Sequence, residues 1–492
     1  MAQQDLNKET TVVKEKPVIK IMPAVTDQKP ILASYIAGIK DTENGESISK
    51  ILSYFVPEFI TALVLYSLTY FYDSWLIAHL KSTSLSGTAG TTNTLLHVLT
   101  KMAEGFTVST MILAGLYNGR KEDKRIGRAL VDAFWVTTLA GTLVACMLFF
   151  GAYWIYYFLR VPEKMISLGT PYLRTRAVAI LFMYVYFALI GFLRGIKNTR
   201  APMMIFILGA SVFMFFDYAL IFGAFGLPAL ELQGSAVASL IQFGVMLVAA
   251  FIYIFTHKEY QKYGLSLFSD IGDWSRIKDL LRLTWPVMLD KVTFAMGYLW
   301  LAGMINPMGK YVIASFSAIK DLERLAIMPA AAFAQVITFL VSNSYGIGDW
   351  QAIKSNLKKV VFLASIFVFA ILFIFSMWPA FFIGIFDHKG KYTEFAAAIL
   401  PLVSVLVFFD LLQLIFAGAL RGAANVKLVM YARLGVMFLF FIPTTLFIDW
   451  LALDNVKLSF LLMYGSFYVG NGLISLVYMW RFRGQRWTTK SV

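Results

Sequence analysis

The sequence predicts an all-α polytopic membrane protein, with twelve transmembrane helices in two six-helix lobes related by a parallel repeat. Three observations predict it. Apolar runs of about 20 residues, the length a helix needs to cross a bilayer, recur along a chain that is 59% hydrophobic and only 15% charged. The segment GFLRGIKNTRAPM at 191–203 returns as GALRGAANVKLVM at 418–430, an offset of 227 residues. Lys and Arg gather in alternate short loops, as they do on the cytoplasmic side of multi-pass proteins. The runs are continuous rather than alternating, which favours helices over barrel strands.

Residues 1–50 are polar, with Lys8, Lys14, Lys16, Lys20, Lys29, Lys40 and Lys50 among acids and prolines. No apolar stretch follows a basic start, so a cytoplasmic tail is expected rather than a cleaved signal. Spans are expected near 51–80, 88–118, 129–158, 172–194, 201–225, 234–256, 280–306, 311–346, 358–386, 393–420, 427–449 and 458–481. One set of loops carries Arg120, Lys121, Lys124, Arg125 and Arg128, then Arg194, Lys197 and Arg200, and later Lys354, Lys358, Lys359, Arg421 and Lys427. The opposite loops are poorer, with Arg160, Lys164, Arg174 and Arg176 as exceptions. Arg481, Arg483, Arg486 and Lys490 put the C-terminus on the basic side too, so both termini are expected in the cytoplasm.

Pro57 and Pro286 stand close to the same offset, as do Tyr117 and Tyr345. Six spans per half preserve orientation, which implies parallel halves about an axis normal to the membrane with a cleft between them. The expected division is an N-lobe at 51–256, a basic linker at 257–279, a C-lobe at 280–481 and a tail at 482–492.

The net charge of +14 resides in loops and reports topology rather than nucleic-acid binding. A single cysteine, Cys146, forms no internal disulfide and no thiolate metal site. Neither a phosphate-binding loop nor a His-Glu-x-x-His pair occurs, which argues against ATP hydrolysis or metalloenzyme chemistry.

What remains is a set of acids inside apolar spans, where charge is costly and marks ion pathways. Asp73 and Asp217 lie roughly 16 to 22 residues from the basic ends of their spans, about 25 to 33 Å deep at the helical rise. Two carboxylates in one low-dielectric pocket do not both stay ionised cheaply, so one takes up a proton or a cation neutralises them. Asp290 and Asp410 lie about 8 to 10 residues in, roughly 12 to 15 Å deep, which permits a second site. The plainer alternative is structural pairing, of Asp290 with Lys291 for example. Glu58, Lys101, Glu104, Asp132, Lys320, Asp321, Glu323 and Arg324 are expected to make structural or gating contacts. His79, His97, His257 and His388 are too scattered for a metal cluster, although His97 within its span is titratable. Tyr184, Tyr186, Phe213 and Gln413 are candidates for a substrate cleft that stacks on flat cations.

From about Ile51 to Arg481 the chain resembles the multidrug and toxic compound extrusion family. The two Gly-x-Leu-Arg-Gly turns, Asp217-Tyr-Ala-Leu-Ile-Phe-Gly, the run from Gln233 to Ser239, Asp410-Leu-Leu-Gln413 and Tyr72-Asp-Ser-Trp carry the likeness. The resemblance implies an antiporter that exports organic cations and amphiphiles against protons or sodium. It implies an N-lobe cation site of Asp73 and Asp217, with Ser239 where the family usually has Thr, and Asp410 as the C-lobe acid. Phe213 stands where the family often has Asn, which removes an oxygen ligand and favours protons over sodium. The family's helix-seven acid falls at Phe294 here, whereas Asp290 comes one turn earlier.

The expected function is therefore a secondary antiporter of the inner membrane working by alternating access. It needs no cofactor, meets small amphiphilic substrates and lipid but no nucleic acid, and acts as a monomer. Two rival readings are a flippase for lipid-linked precursors, which would line the cleft with arginines, and an integral membrane enzyme or scaffold, for which no clustered motif is present.

Overall fold

The computed structural model describes residues 35–36, 38–39, 41, 43–64, 68–80, 82–268, 273–387 and 389–483, with the side chains of Thr83 and Ser86 left aside. The expected tails beyond these limits, and His388, lie outside the described residues. The first half contains α1 (Ile48–Leu63), α2 (Thr69–Ala78), α3 (Thr83–Gly119), α4 (Asp123–Phe158), α5 (Glu163–Gly195), α6 (Arg200–Phe222) and α7 (Leu232–Thr256). The second contains α8 (Trp274–Ile305), α9 (Lys310–Ile347), α10 (Trp350–Met377), α11 (Pro379–Gly384), α12 (Thr393–Gly422), α13 (Val426–Val436), α14 (Ile442–Trp450) and α15 (Val456–Arg483). A π-helical turn, Met437–Phe441, joins α13 to α14. No strand occurs among the described residues.

Local chemistry sets many of the helix ends. Ser47 caps α1 by accepting from the Lys50 amide at 3.3 Å, and Asp349 caps α10 by accepting from Ala352 at 2.9 Å. Gly223 closes α6 and Gly348 closes α9 in the left-handed region.

Among the described residues, nine helical segments are long and apolar enough to cross a membrane. The helices α1 to α3 and α8 are not in that set although spans are expected there. α3 carries Lys101 and Glu104, and α8 carries Asp290 and Lys291. Both helices face the other half, where polar groups find partners instead of lipid. Elsewhere the exterior is apolar, with Phe150, Phe373 and Leu439 well exposed, which suits a hydrocarbon solvent and not water.

The repeat reappears as matched contacts. A Cβ added at Gly191 would meet the Thr107 carbonyl oxygen at 2.4 Å, and one at Gly418 would meet that of Ala334 at 2.6 Å. Gly195 approaches the Met111 oxygen and Gly422 the Thr338 oxygen in the same way. Both members of each contact shift together by the motif offset. The glycines are thus where α5 presses its backbone onto α3, and α12 onto α9. After each glycine pair the chain turns identically: Asn198 N–H donates to Leu193 O, and Asn425 N–H to Leu420 O, both at 2.9 Å. Lys197 and Ala424, at equivalent positions, both hold positive φ (64° and 56°).

The halves meet through α3 against α8 and α9, and α1 against α9. At the seam a Cβ on Gly119 would clash with Asn343 O at 2.0 Å, and one on Gly346 with Leu116 O at 2.3 Å. Shifting the first pair by the offset yields the second, which is the signature of a pseudo-twofold axis between parallel halves. Asn118 donates to Asn343 Oδ1 at 2.6 Å, Asn343 donates to Gly195 O at 2.9 Å, and Arg120 donates to Gly346 O at 3.1 Å. Phe55 stacks on Phe333 at 4.0 Å. These contacts lie toward the helix ends that carry the basic loops.

Candidate functional site: buried acids in each half

In the N-half five helices converge on one polar cluster. The short helix α2 brings Asp73, α6 brings Asp217, α7 brings Ser235 and Ser239 one turn apart, α5 brings Tyr172 and Arg176, and α3 brings Asn93. Ser235 donates its hydroxyl to Asp73 at 2.6 Å. Tyr72 ties α2 to α6 by donating to Met214 O at 3.1 Å. Asp217 is 0% exposed and neither of its oxygens has a hydrogen-bond donor, yet it lies within Coulombic reach of Asp73 and Arg176. The two expected acids are thus buried within Coulombic reach of each other.

Two features differ from expectation. Ser239 does not touch an acid: it accepts a hydrogen bond from Arg176, and the hydroxyl bound to Asp73 is that of Ser235. Arg176 is not a loop charge but a buried member of the cluster, with Nη2 at 3.9 Å from Asp73. It also donates to Asn93 at 3.3 Å and to Tyr172 OH at 3.0 and 3.2 Å. The signal was present in the sequence, because Arg176 stands inside the apolar run that starts at 172.

The C-half is arranged differently. Asp410 on α12 accepts from Asn471 of α15 at 3.1 Å. Its acidic neighbour is Glu323 of α9, within Coulombic reach, and not Asp290. Glu323 accepts from Tyr464 and from Tyr468, the latter at 2.6 Å, while its second oxygen has no partner. Glu323, expected to make a structural or gating contact, is buried among tyrosines in the middle of α9. Asp290 is held by Arg421 and Arg433 together, so the proposed Asp290–Asp410 pair does not form. Nor does Asp290 pair with Lys291, which crosses between the halves to Glu104 at 2.6 Å, beside Lys101 at 2.7 Å.

The aromatic candidates are placed mainly in cores. Tyr184 donates to Leu99 O, and Tyr186 packs edge-on against Phe206, both inside the N-half core. They do not line a cleft, because α5 buries this face against α3 and α6. Phe213 is buried one turn before Asp217. Gln413 is 0% exposed, three residues after Asp410, with both amide atoms unpartnered. A small pocket beside Arg433 and Asn471 is walled by Phe294, Phe441 and Phe467.

Buried acids on the inner helices of a multi-pass helical repeat are the architecture of a membrane transporter. The family model MatE matches twice, at residues 59–219 and 286–447, so this chain belongs to the MatE family, the multidrug and toxic compound extrusion transporters. Its matches begin 227 residues apart, the offset seen in the turns. A probable multidrug resistance protein NorM of Thermotoga maritima is 29% identical over 47% of this chain and 50% of its own length, so that match spans about half of the relative. A NorM of Bacillus cereus is 24% identical over 79% of this chain and 86% of its own. An outward-facing multidrug resistance MATE transporter superposes with TM-score 0.81 at 14% identity, covering 93% of this chain and 99% of that one. A Vibrio cholerae MATE transporter mutant gives 0.81 at 13%, covering 93% and 100%. At such identities these two structures speak for the fold alone.

Proposed function

We propose that the chain is an efflux antiporter of the cell's inner membrane, with both termini cytoplasmic, exporting small amphiphilic or cationic compounds in exchange for protons. The observation that supports this most is the placement of Asp73 and Asp217 in one buried cluster with a single guanidinium, Arg176, which leaves a net negative charge for a mobile cation to neutralise. A proton needs one carboxylate oxygen. Sodium needs several oxygens, and Phe213 supplies none. In the C-half, Asp410 with Glu323 beside it is the candidate second acid.

Alternating access would use the seam of Asn118, Gly119, Asn343 and Gly346 as the gate on the basic side, with Glu104 and Lys291 deeper along it. Protonation of the N-half acids changes the balance between its open and closed states. A flippase would present free arginines to a lipid phosphate, whereas Arg176, Arg421 and Arg433 all face acids.

The test is export of a lipophilic aromatic cation from proteoliposomes under an imposed pH gradient. Asp73→Asn and Asp217→Asn should each abolish it. Export surviving both substitutions would refute the reading.

A further inference from the structure

Arg176 is unusual among the buried bases because it sits on the very acids assigned to ion coupling. Its guanidinium is fixed from three sides: Ser239 of α7, Asn93 of α3, and Tyr172 of its own helix, whose ring also lies under the cation at 5.4 Å. The charged or titratable groups facing it are Asp73 from α2, Asp217 from α6, Tyr156 from α4 and Tyr172 from α5; α3 and α7 contribute only neutral Asn93, Ser235 and Ser239. Without the guanidinium, Asp73, Asp217, Ser235, Ser239 and Asn93 would form an all-oxygen set from two carboxylates, two hydroxyls and an amide carbonyl. That is the donor chemistry a hard cation selects.

We propose that Arg176 is a tethered cation that occupies the N-half acid site in place of sodium and so makes this site selective for protons. Two carboxylates and one guanidinium leave a single negative charge, which one proton neutralises. A sodium ion entering beside the guanidinium would meet like charge at close range and would find Ser239 and Asn93 already engaged as acceptors. The proposal deepens the proton-coupled reading above and rests on it for its role in transport, but not for its ion-binding claim.

The experiment measures the thermal melting of the purified full chain in detergent, in sodium chloride against N-methyl-D-glucamine chloride at equal ionic strength. A ligand that binds only the folded state raises Tm with its concentration. Wild type should show no sodium-dependent rise. Arg176→Gln should acquire one, Arg176→Lys should not, and Arg176→Gln combined with Asp217→Asn should lose it. A sodium-dependent rise in wild type that Asp217→Asn removes would overturn the proposal even if no Arg176 variant folds. Well-folded Arg176→Gln that ignores sodium would overturn it as well. Transport separates the two readings: if wild type gives no export on a pH gradient while Arg176→Gln gains sodium-dependent stabilisation, proton coupling fails and the tethered cation stands.

Discussion

Arg421 of the second Gly-x-Leu-Arg-Gly turn is bound to Asp290 on α8. In the first half Arg194 of the equivalent turn donates to both oxygens of Glu58 on α1, at 2.8 and 2.7 Å. Glu58 directly follows Pro57 and Asp290 comes four residues after Pro286, so the two acids stand on about one helix face a turn apart. Asp290 is therefore the structural counterpart of Glu58, an anchor for the turn, and not a counterpart of Asp73.

Replacing Asp290 with Asn should strand two buried guanidiniums. Removing one partner of a buried ion pair costs about 3 to 5 kcal/mol, so the variant should melt well below wild type in detergent. Molecules that do fold should still export. Glu58→Gln should behave alike, since it leaves Arg194 without its acid.

Glu323→Gln should do the opposite. Glu323 is held by two tyrosine hydroxyls, and a glutamine keeps an oxygen to accept from them, so stability should change by less than about 1 kcal/mol. If Glu323 assists Asp410 in coupling, the pH profile of export should shift while the melting temperature holds.

The seam should respond symmetrically. Gly119→Ala and Gly346→Ala each drive a Cβ into a backbone carbonyl of the opposite half, at 2.0 and 2.3 Å. Both should weaken the closed gate to a similar degree. With Cys146 replaced by Ser and Ser342→Cys introduced as reporter, thiol alkylation from the basic side should be slow in the parent and faster in either glycine variant.

Glu104 should couple energetically to Lys291 across the halves. In a double-mutant cycle of Glu104→Gln and Lys291→Gln the interaction should fall within about 0.5 to 3 kcal/mol by thermal melting. Additive effects would mean the contact at 2.6 Å does not bias the gate.

The helical repeat was legible because lipid imposes a simple rule of apolar length and because the Gly-x-Leu-Arg-Gly turns are local. Asp73 and Asp217 were legible for a related reason, as charges amid apolar residues. What sequence did not resolve was direction around a helix. Arg176 reads as a loop charge although thirteen residues of α5 precede it, and depth along α8 does not reveal which face of the helix carries Asp290, so its partners Arg421 and Arg433 are hidden in the sequence. Glu323 is obscured by Lys320, Asp321 and Arg324, which crowd the same stretch of α9. Ser235 and Ser239 differ by one turn, and only the packing of α7 on α2 and α5 decides which meets the acid.

Proton release on substrate binding tests the coupling role of Asp73 and Asp217 most directly. Addition of a lipophilic aromatic cation to the purified protein in weakly buffered detergent solution should acidify the medium, and Asp73→Asn or Asp217→Asn should suppress that release. Tight binding of the cation with no change in pH, or the same release from both variants, would contradict it.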